Sequence, residues 1–215
     1  MIFHDPSYFE GYLRILKRSL PHASVRVLAY ALMNNHVHII AIPAFGDSFS
    51  TLFRRVSGSY SHYVNLRLGS TGKVWGGRYF SSAMSDRHMH HALRYVEMNP
   101  VRAGMVSNPA NYRWTSAQAH YSGRDPFEIL DLNFLEERGG PEAWVQMIEG
   151  EPMQRTFEID HFLRKCTYAE RPFGDEAFLR EAESFFGRTW NRWPFERSLT
   201  SSELALNLEK LSAAG

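Results

Sequence analysis

The sequence predicts a mixed α+β sandwich, with helices on one face of a small sheet. Three observations carry that expectation. A helical stripe opens the chain, two β-branched and apolar segments follow it back to back, and further helical patterns alternate with strand-like ones. Residues 5–20 place Phe9, Leu13, Leu16 and Leu20 on one stripe of a helix. Residues 25–33 and 37–42 read as strands. Asn34-Asn35 lies between them, and asparagine tolerates the positive φ of a tight hairpin turn. Residues 48–68 read as a long helix, followed by the loop Gly69-Ser70-Thr71-Gly72. Residues 74–84 have strand character interrupted by Gly76-Gly77. Ser85-Asp86 can cap a helix over 87–98, whose Met89, Ala92, Leu93 and Val96 form a core-facing stripe. After Gly123 the pattern turns to helices with aromatic anchors. The clearest covers 175–186, capped by Asp175 and stopped by Gly187, with Phe178, Leu179, Ala182, Phe185 and Phe186 along one face. Trp144, Trp190 and Trp193 are candidates for local core. The change of pattern sets a boundary near residue 125, dividing the chain into 1–125 and a helical extension over 126–215.

The 215 residues are 44% hydrophobic and 22% charged, which is ordinary for a globular protein with one good core. No apolar run approaches the ~20 residues needed to cross a bilayer, and the N-terminus lacks a signal-peptide pattern. The one cysteine, Cys166, rules out an internal disulfide and points to a reducing, cytoplasmic setting. The net charge of +1 conceals an asymmetry. Residues 1–125 carry 14 Lys and Arg against 6 Asp and Glu, whereas 126–215 carry 10 against 17. A basic segment of this size suits a polyanion, whose neutralised phosphates release counterions; ordinary surface charge is the plainer alternative. The acidic extension can, by its sign, cover such a basic surface and compete with a polyanion, or simply stabilise the core.

Two local signals carry chemistry. In His36-Val37-His38, residues two apart on a strand point to the same face, so both imidazoles can hold one divalent metal. A pair of surface histidines on a half-exposed strand is the competing reading. Tyr95 and Asn99 lie four residues apart, one turn along the same side of a helix, with His88, His91 and Arg102 near that azimuth. Pro100 disfavours helical geometry at Asn99, and a half-buried tyrosine beside a helix-terminal asparagine is the plain alternative. Together the signals fit one reaction. A phenol with a pKa near ~10 is a poor nucleophile at neutral pH, and a metal beside it favours the phenolate and polarises a phosphate.

The run from Ala29 through Met33, Asn34, Asn35, His36, Val37 and His38 to Ile40 resembles the HUH motif of single-tyrosine HUH transposases. Arg94-Tyr95-Val96-Glu97-Met98-Asn99-Pro100-Val101-Arg102-Ala103-Gly104 resembles the tyrosine helix of that family, with spacing similar to the REP-associated tyrosine transposases. Lys73-Val74-Trp75-Gly76-Gly77-Arg78-Tyr79-Phe80 is similar to the family's sheet-forming segment, and Arg171-Pro172-Phe173-Gly174-Asp175 to tails of that branch. The resemblance covers residues 2–120. It implies a ferredoxin-like sandwich, a central antiparallel sheet with helices on one face. The family's first strand, which precedes the first helix, has no counterpart here, so an edge is exposed or another segment takes its place. It implies nicking and rejoining of single-stranded or hairpin DNA through a 5′-phosphotyrosine at Tyr95, with Mg²⁺ or Mn²⁺ on His36, His38 and Asn99, in a monomer or homodimer.

Arg54, Arg55, Lys73, Arg78 and Arg102 are candidate phosphate contacts, each weighed against an ordinary solvated side chain. His88-Met89-His90-His91 is either a second metal site or a solvated helix end flanking the DNA site. Tyr60 and Tyr63 lack an amide four residues on and read as packing residues. Two other functions stay open: a DNA-binding derivative without catalysis, and a small-molecule metallohydrolase, for which the sequence offers no acidic base near the histidine pair.

Overall fold

The computed structural model describes residues 1–150 and 153–192. Trp193, one of the candidate core aromatics, lies outside them. The chain divides into two compact units, one of residues 1–79 and 92–152, the other of 80–91 and 153–215. The division does not fall near residue 125: residues 126–150 fold with the N-terminal part, burying Ile129, Phe134, Leu135, Trp144 and Ile148.

In the first unit, Asp5 caps α1 (Pro6–Ala23), its carboxylate accepting from Ser7 N at 2.7 Å. Ser24 ends the helix in the left-handed region at φ 52°. β1 (Val25–Met33) and β2 (His36–Pro43) then form an antiparallel hairpin. The turn falls at Asn34-Asn35 as expected, yet neither residue adopts a left-handed φ. The Asn34 carbonyl instead accepts from the backbone N–H groups of Ile2 and Phe3, at 3.2 and 3.3 Å. α2 (Ser48–Leu68) closes on Gly69, whose φ of 60° suits glycine.

Every β1 residue but Arg26 is buried, so both faces of this strand are covered, not one. Tyr30 and Leu32 stand opposite Ile39 and Val37, and this face packs on Leu13 and Leu16 of α1 and Leu52, Val56 and Tyr60 of α2. Ala31 and Met33 stand opposite His38 and His36 on the other face. The edge of β1 turned away from β2 is occupied by irregular chain. Leu32 N donates to Trp114 O at 2.9 Å, Ser116 N to Tyr30 O at 3.0 Å and Asp131 N to Val27 O at 2.8 Å.

The sheet of the described residues is this two-stranded hairpin, so the ferredoxin-like arrangement is not reproduced, although the mixture of helix and sheet is. The expected strand over 74–84 is absent apart from a single bridge at Met84. Gly76 and Gly77 interrupt the pairing pattern, and Val74 and Trp75 pack on the core, Trp75 Nε1 donating to Ser57 O at 3.2 Å. α3 (Asp86–Glu97) follows, then the short α4 (Asn99–Arg102), α5 (Ala117–Ser122), α6 (Leu132–Glu136) and α7 (Gly140–Glu149). No helix of the described residues is long and apolar enough to cross a membrane.

In the second unit, α8 (Met153–Tyr168) and α9 (Glu176–Phe186) flank Phe173, which is fully buried. Phe173 N donates to Ala83 O at 2.7 Å and Ser85 N to Phe173 O at 3.2 Å. α9 begins and ends as the sequence predicts, with the Asp175 side chain accepting from Phe178 N and Gly187 at φ 60°. Its apolar face is narrower than expected. Leu179 and Ala182 are buried, but Phe185 is 84% exposed and Phe186 56%.

Candidate functional site

The hairpin alternation puts His36 and His38 on one face, and the geometry follows. Their Nε2 atoms lie 3.1 Å apart, with ring centroids 4.8 Å apart and planes at 90°. His36 Nδ1 lies 2.7 Å from the Asn35 side-chain oxygen. That oxygen only accepts, so Nδ1 carries the proton and Nε2 presents its lone pair toward His38. Two nitrogens each about 2.1 Å from one cation, in adjacent octahedral positions, stand roughly 3 Å apart. The spacing of this pair therefore fits a shared divalent ion. Among the described residues no group of three or more His, Cys, Asp or Glu is arranged to hold a metal, so the pair needs a ligand of another type.

α3 carries Tyr95 to this pair. The phenol ring is 8% exposed and meets the His38 ring edge to face, centroids 5.7 Å apart and planes at 88°. Residues 95 and 38 are far apart in the chain; what joins them is the packing of α3 and α4 against the sheet face opposite α1 and α2. α3 ends at Glu97 and the chain turns at Met98 into α4, with Asn99 and Pro100 as its first residues. Pro100 thus sits where a missing N–H costs nothing. The Asn99 amide nitrogen donates to Val96 O at 3.4 Å, leaving its carbonyl oxygen, the atom a cation takes, outside that bond.

Arg102 stands at the same place. Its guanidinium lies 4.2 Å from the centre of the Tyr95 ring, and its Nη2 donates to the Tyr95 carbonyl. Of the five candidate phosphate contacts it is the one placed beside the tyrosine. Arg54 and Arg55 are exposed on α2, which packs on the opposite face of the hairpin. Lys73 and Arg78 are exposed in the segment between α2 and α3.

The second histidine cluster is not a solvated helix end. His88 is fully buried and His91 is 4% exposed. His88 Nδ1 shares a 2.6 Å hydrogen bond with Ser85 Oγ, its Nε2 is buried without a hydrogen-bond partner, and its ring packs on Phe173. Burial lowers its pKa to about 4, the neighbouring Asp175 opposing that shift and His90 and Arg87 adding to it. Tyr60 and Tyr63 are packing residues: their hydroxyls donate to Ile2 O at 2.9 Å and Ser7 O at 3.0 Å, and burial raises the Tyr60 phenol far above its ordinary range.

Two features escaped the sequence reading. Asn35 orients His36, a role that adjacency alone does not announce. Glu97, two residues past the tyrosine, is fully buried and accepts hydrogen bonds on both oxygens, from Ser116, His120 and Trp144. Its partners lie 19, 23 and 47 residues away in the chain, beyond the reach of any local pattern.

Residues 2–99 match the family described as "Transposase IS200 like". No curated relative matches the chain. Among solved structures, one described as "Structure of the REP associates tyrosine transposase bound to a REP hairpin" is 20% identical. That likeness covers 55% of this chain and 72% of the other, with a TM-score of 0.46.

Proposed function

We propose, from the match of residues 2–99 to the IS200-like transposase family, that the chain cleaves and rejoins single-stranded DNA through Tyr95. The observation that carries this reading is the meeting of the Tyr95 ring with His38 beside an Nε2–Nε2 gap of cation-holding width. The Tyr95 oxygen attacks a phosphorus atom and forms the Tyr–O–P bond. The bond from phosphorus to the 3′-oxygen breaks, and that oxygen leaves as a 3′-hydroxyl once protonated. The 5′-phosphotyrosine retains the bond energy, so a 3′-hydroxyl reverses the step without ATP.

His36, His38 and Asn99 are the residues that hold Mg²⁺ or Mn²⁺ in this reading. A divalent ion bound there neutralises phosphate charge and favours ionisation of the phenol. His36, His38 and Asn99 are all neutral ligands, so the charge of the ion stays available to the phosphate. Arg102 packs its guanidinium over the phenol ring and adds a cation beside the reacting phosphate. The basic N-terminal part provides the attraction for the DNA backbone, and a short palindromic hairpin is the substrate we assign. Glu97, the carboxylate nearest in sequence to Tyr95, has both oxygens engaged, which argues against its service as the general base of a metallohydrolase.

The reading is tested by incubating the protein with a hairpin oligonucleotide carrying a single-stranded flank, in Mn²⁺, and resolving covalent adducts on a denaturing gel. The wild type forms the adduct; Tyr95→Phe forms none, and the double change His36→Ala with His38→Ala abolishes its dependence on metal along with nearly all of its yield. An adduct that persists in Tyr95→Phe refutes the nucleophile. Binding with no adduct in the wild type selects a DNA-binding derivative.

A further inference from the structure

We propose that Glu97 is a positioning residue, a buried clamp that sets where the nucleophilic Tyr95 stands relative to the histidine pair. This rests on the proposed strand-transfer reading and adds a residue to it. Glu97 follows Tyr95 by two positions, roughly 200° around α3, so it grips the helix from the side turned away from the phenol. Its Oε1 accepts from Ser116 Oγ at 2.5 Å and from His120 Nδ1, and its Oε2 accepts from Trp144 Nε1 at 2.9 Å. Three donors surround a group that can only accept, so the site is built for a carboxylate. All four side chains are 2% exposed or less.

The clamp reaches the histidines through one further residue. Ser116 N donates to Tyr30 O at 3.0 Å, and Tyr30 N donates to Ser116 Oγ at 3.1 Å. Tyr30 pairs across the hairpin with Ile39, the neighbour of His38. One carboxylate thus ties the helix that bears the tyrosine to the strand pair that bears the histidines. Trp144 brings α7 to the same carboxylate, and its ring packs against His120 at a tilt of 45°, centroids 4.1 Å apart. Apolar contacts let a helix slide or roll by fractions of an ångström; three charge-assisted hydrogen bonds fix its rotation and its height together.

Glu97→Gln keeps the shape but replaces one acceptor with an N–H₂ group, which must face a donor. In single-turnover reactions with the hairpin oligonucleotide, this change lowers the rate of Tyr95 adduct formation about tenfold or more, while the Kd for the same oligonucleotide stays within about twofold. Trp144→Phe, which removes a single donor, gives a smaller loss of the same kind and serves if Glu97→Gln does not fold. Leu52→Ala, in the core under the other face of the hairpin, controls for lost stability. If it lowers the adduct rate as much as a clamp variant of equal thermal stability, or if the clamp variants react at the wild-type rate, the proposal is overturned. Crystal structures of wild type and variant give a readout that needs no reaction. If the wild type forms no adduct but the His38–Tyr95 separation widens in the variant, the clamp stands and the strand-transfer reading falls. A separation unchanged from the wild type overturns the clamp.

Discussion

At the scale of single residues, His88 ties the stability of its unit to pH. The folded pKa lies near 4 against an ordinary 6.5, so between those values the unfolded chain takes up a proton that the folded one refuses. The stability that His88 permits is complete above pH 6.5 and falls as pH drops toward 4, by about 3 kcal/mol at the lower limit. Urea unfolding of the wild type at pH 7 and pH 4.5 measures the slope, and His88→Gln removes most of it; an equal slope in the variant assigns the acid sensitivity elsewhere. His88 was visible in the sequence only as part of a histidine cluster, because burial at one end of a helix depends on Phe173, far along the chain. The paired histidines and the tyrosine were legible for the opposite reason. Period-two alternation placed His36 and His38 on one face, and four-residue spacing placed Tyr95 and Asn99 on one side of a helix. That the two groups meet required the packing of α3 on the hairpin, which no local spacing encodes.

At the scale of elements, α1 and α2 approach each other through a glycine. A Cβ on Gly11 would lie 2.6 Å from Tyr63 Cε1 and 2.7 Å from its Cζ. Alanine gains about 1 kcal/mol of helix propensity, but crowding a packed interface costs roughly 1–3 kcal/mol. The Tyr63 hydroxyl is held by Ser7 O, which resists the ring's swinging aside. Gly11→Ala therefore destabilises the protein by about 1 kcal/mol, read as a lower Tm. In a Tyr63→Ala background the same change raises Tm, since only the propensity gain remains; the same sign in both backgrounds would refute the packing argument. The ends of α9 were readable because Asp175 and Gly187 cap by their own chemistry. Residues 74–84 were misread as a strand because apolar and aromatic residues flank a glycine pair, and Trp75 in fact serves the core from a loop. The apolar stripe of α9 was overextended because periodicity shows which residues share a face, not how much of that face is covered.

At the scale of the whole molecule, the charge asymmetry suggests removing the acidic part to ask whether it restrains DNA binding, and the structure dictates where the cut can fall. A chain ending at residue 125 loses Trp144, which serves Glu97, and Ile148, whose carbonyl accepts from Arg94 Nε at 3.0 Å. It also loses Asp131, whose N–H covers the edge of β1, and the buried Ile129 and Leu135. A buried carboxylate that loses one of its three donors and a buried guanidinium that loses a carbonyl acceptor are expensive, about 1–3 kcal/mol each, a sizeable part of the whole stability of a domain. The 1–125 fragment is therefore expected to show no cooperative thermal transition by circular dichroism. A chain ending at residue 150 keeps every one of those contacts. What it lacks is Phe173 and Arg171, which hold residues 82–88 in the second unit through Ser82, Ala83, Ser85 and His88. The 1–150 fragment should melt cooperatively, while backbone amides over 80–91 exchange with deuterium much faster than in the full chain. Cooperative melting of 1–125 would mean that residues 126–150 are an appendage after all; loss of the transition in 1–150 would mean that the first unit cannot hold its fold without the second. If 1–150 melts as expected, it becomes the fragment in which a restraining role for the acidic extension is measured, as a faster adduct rate or tighter DNA binding than in the full chain.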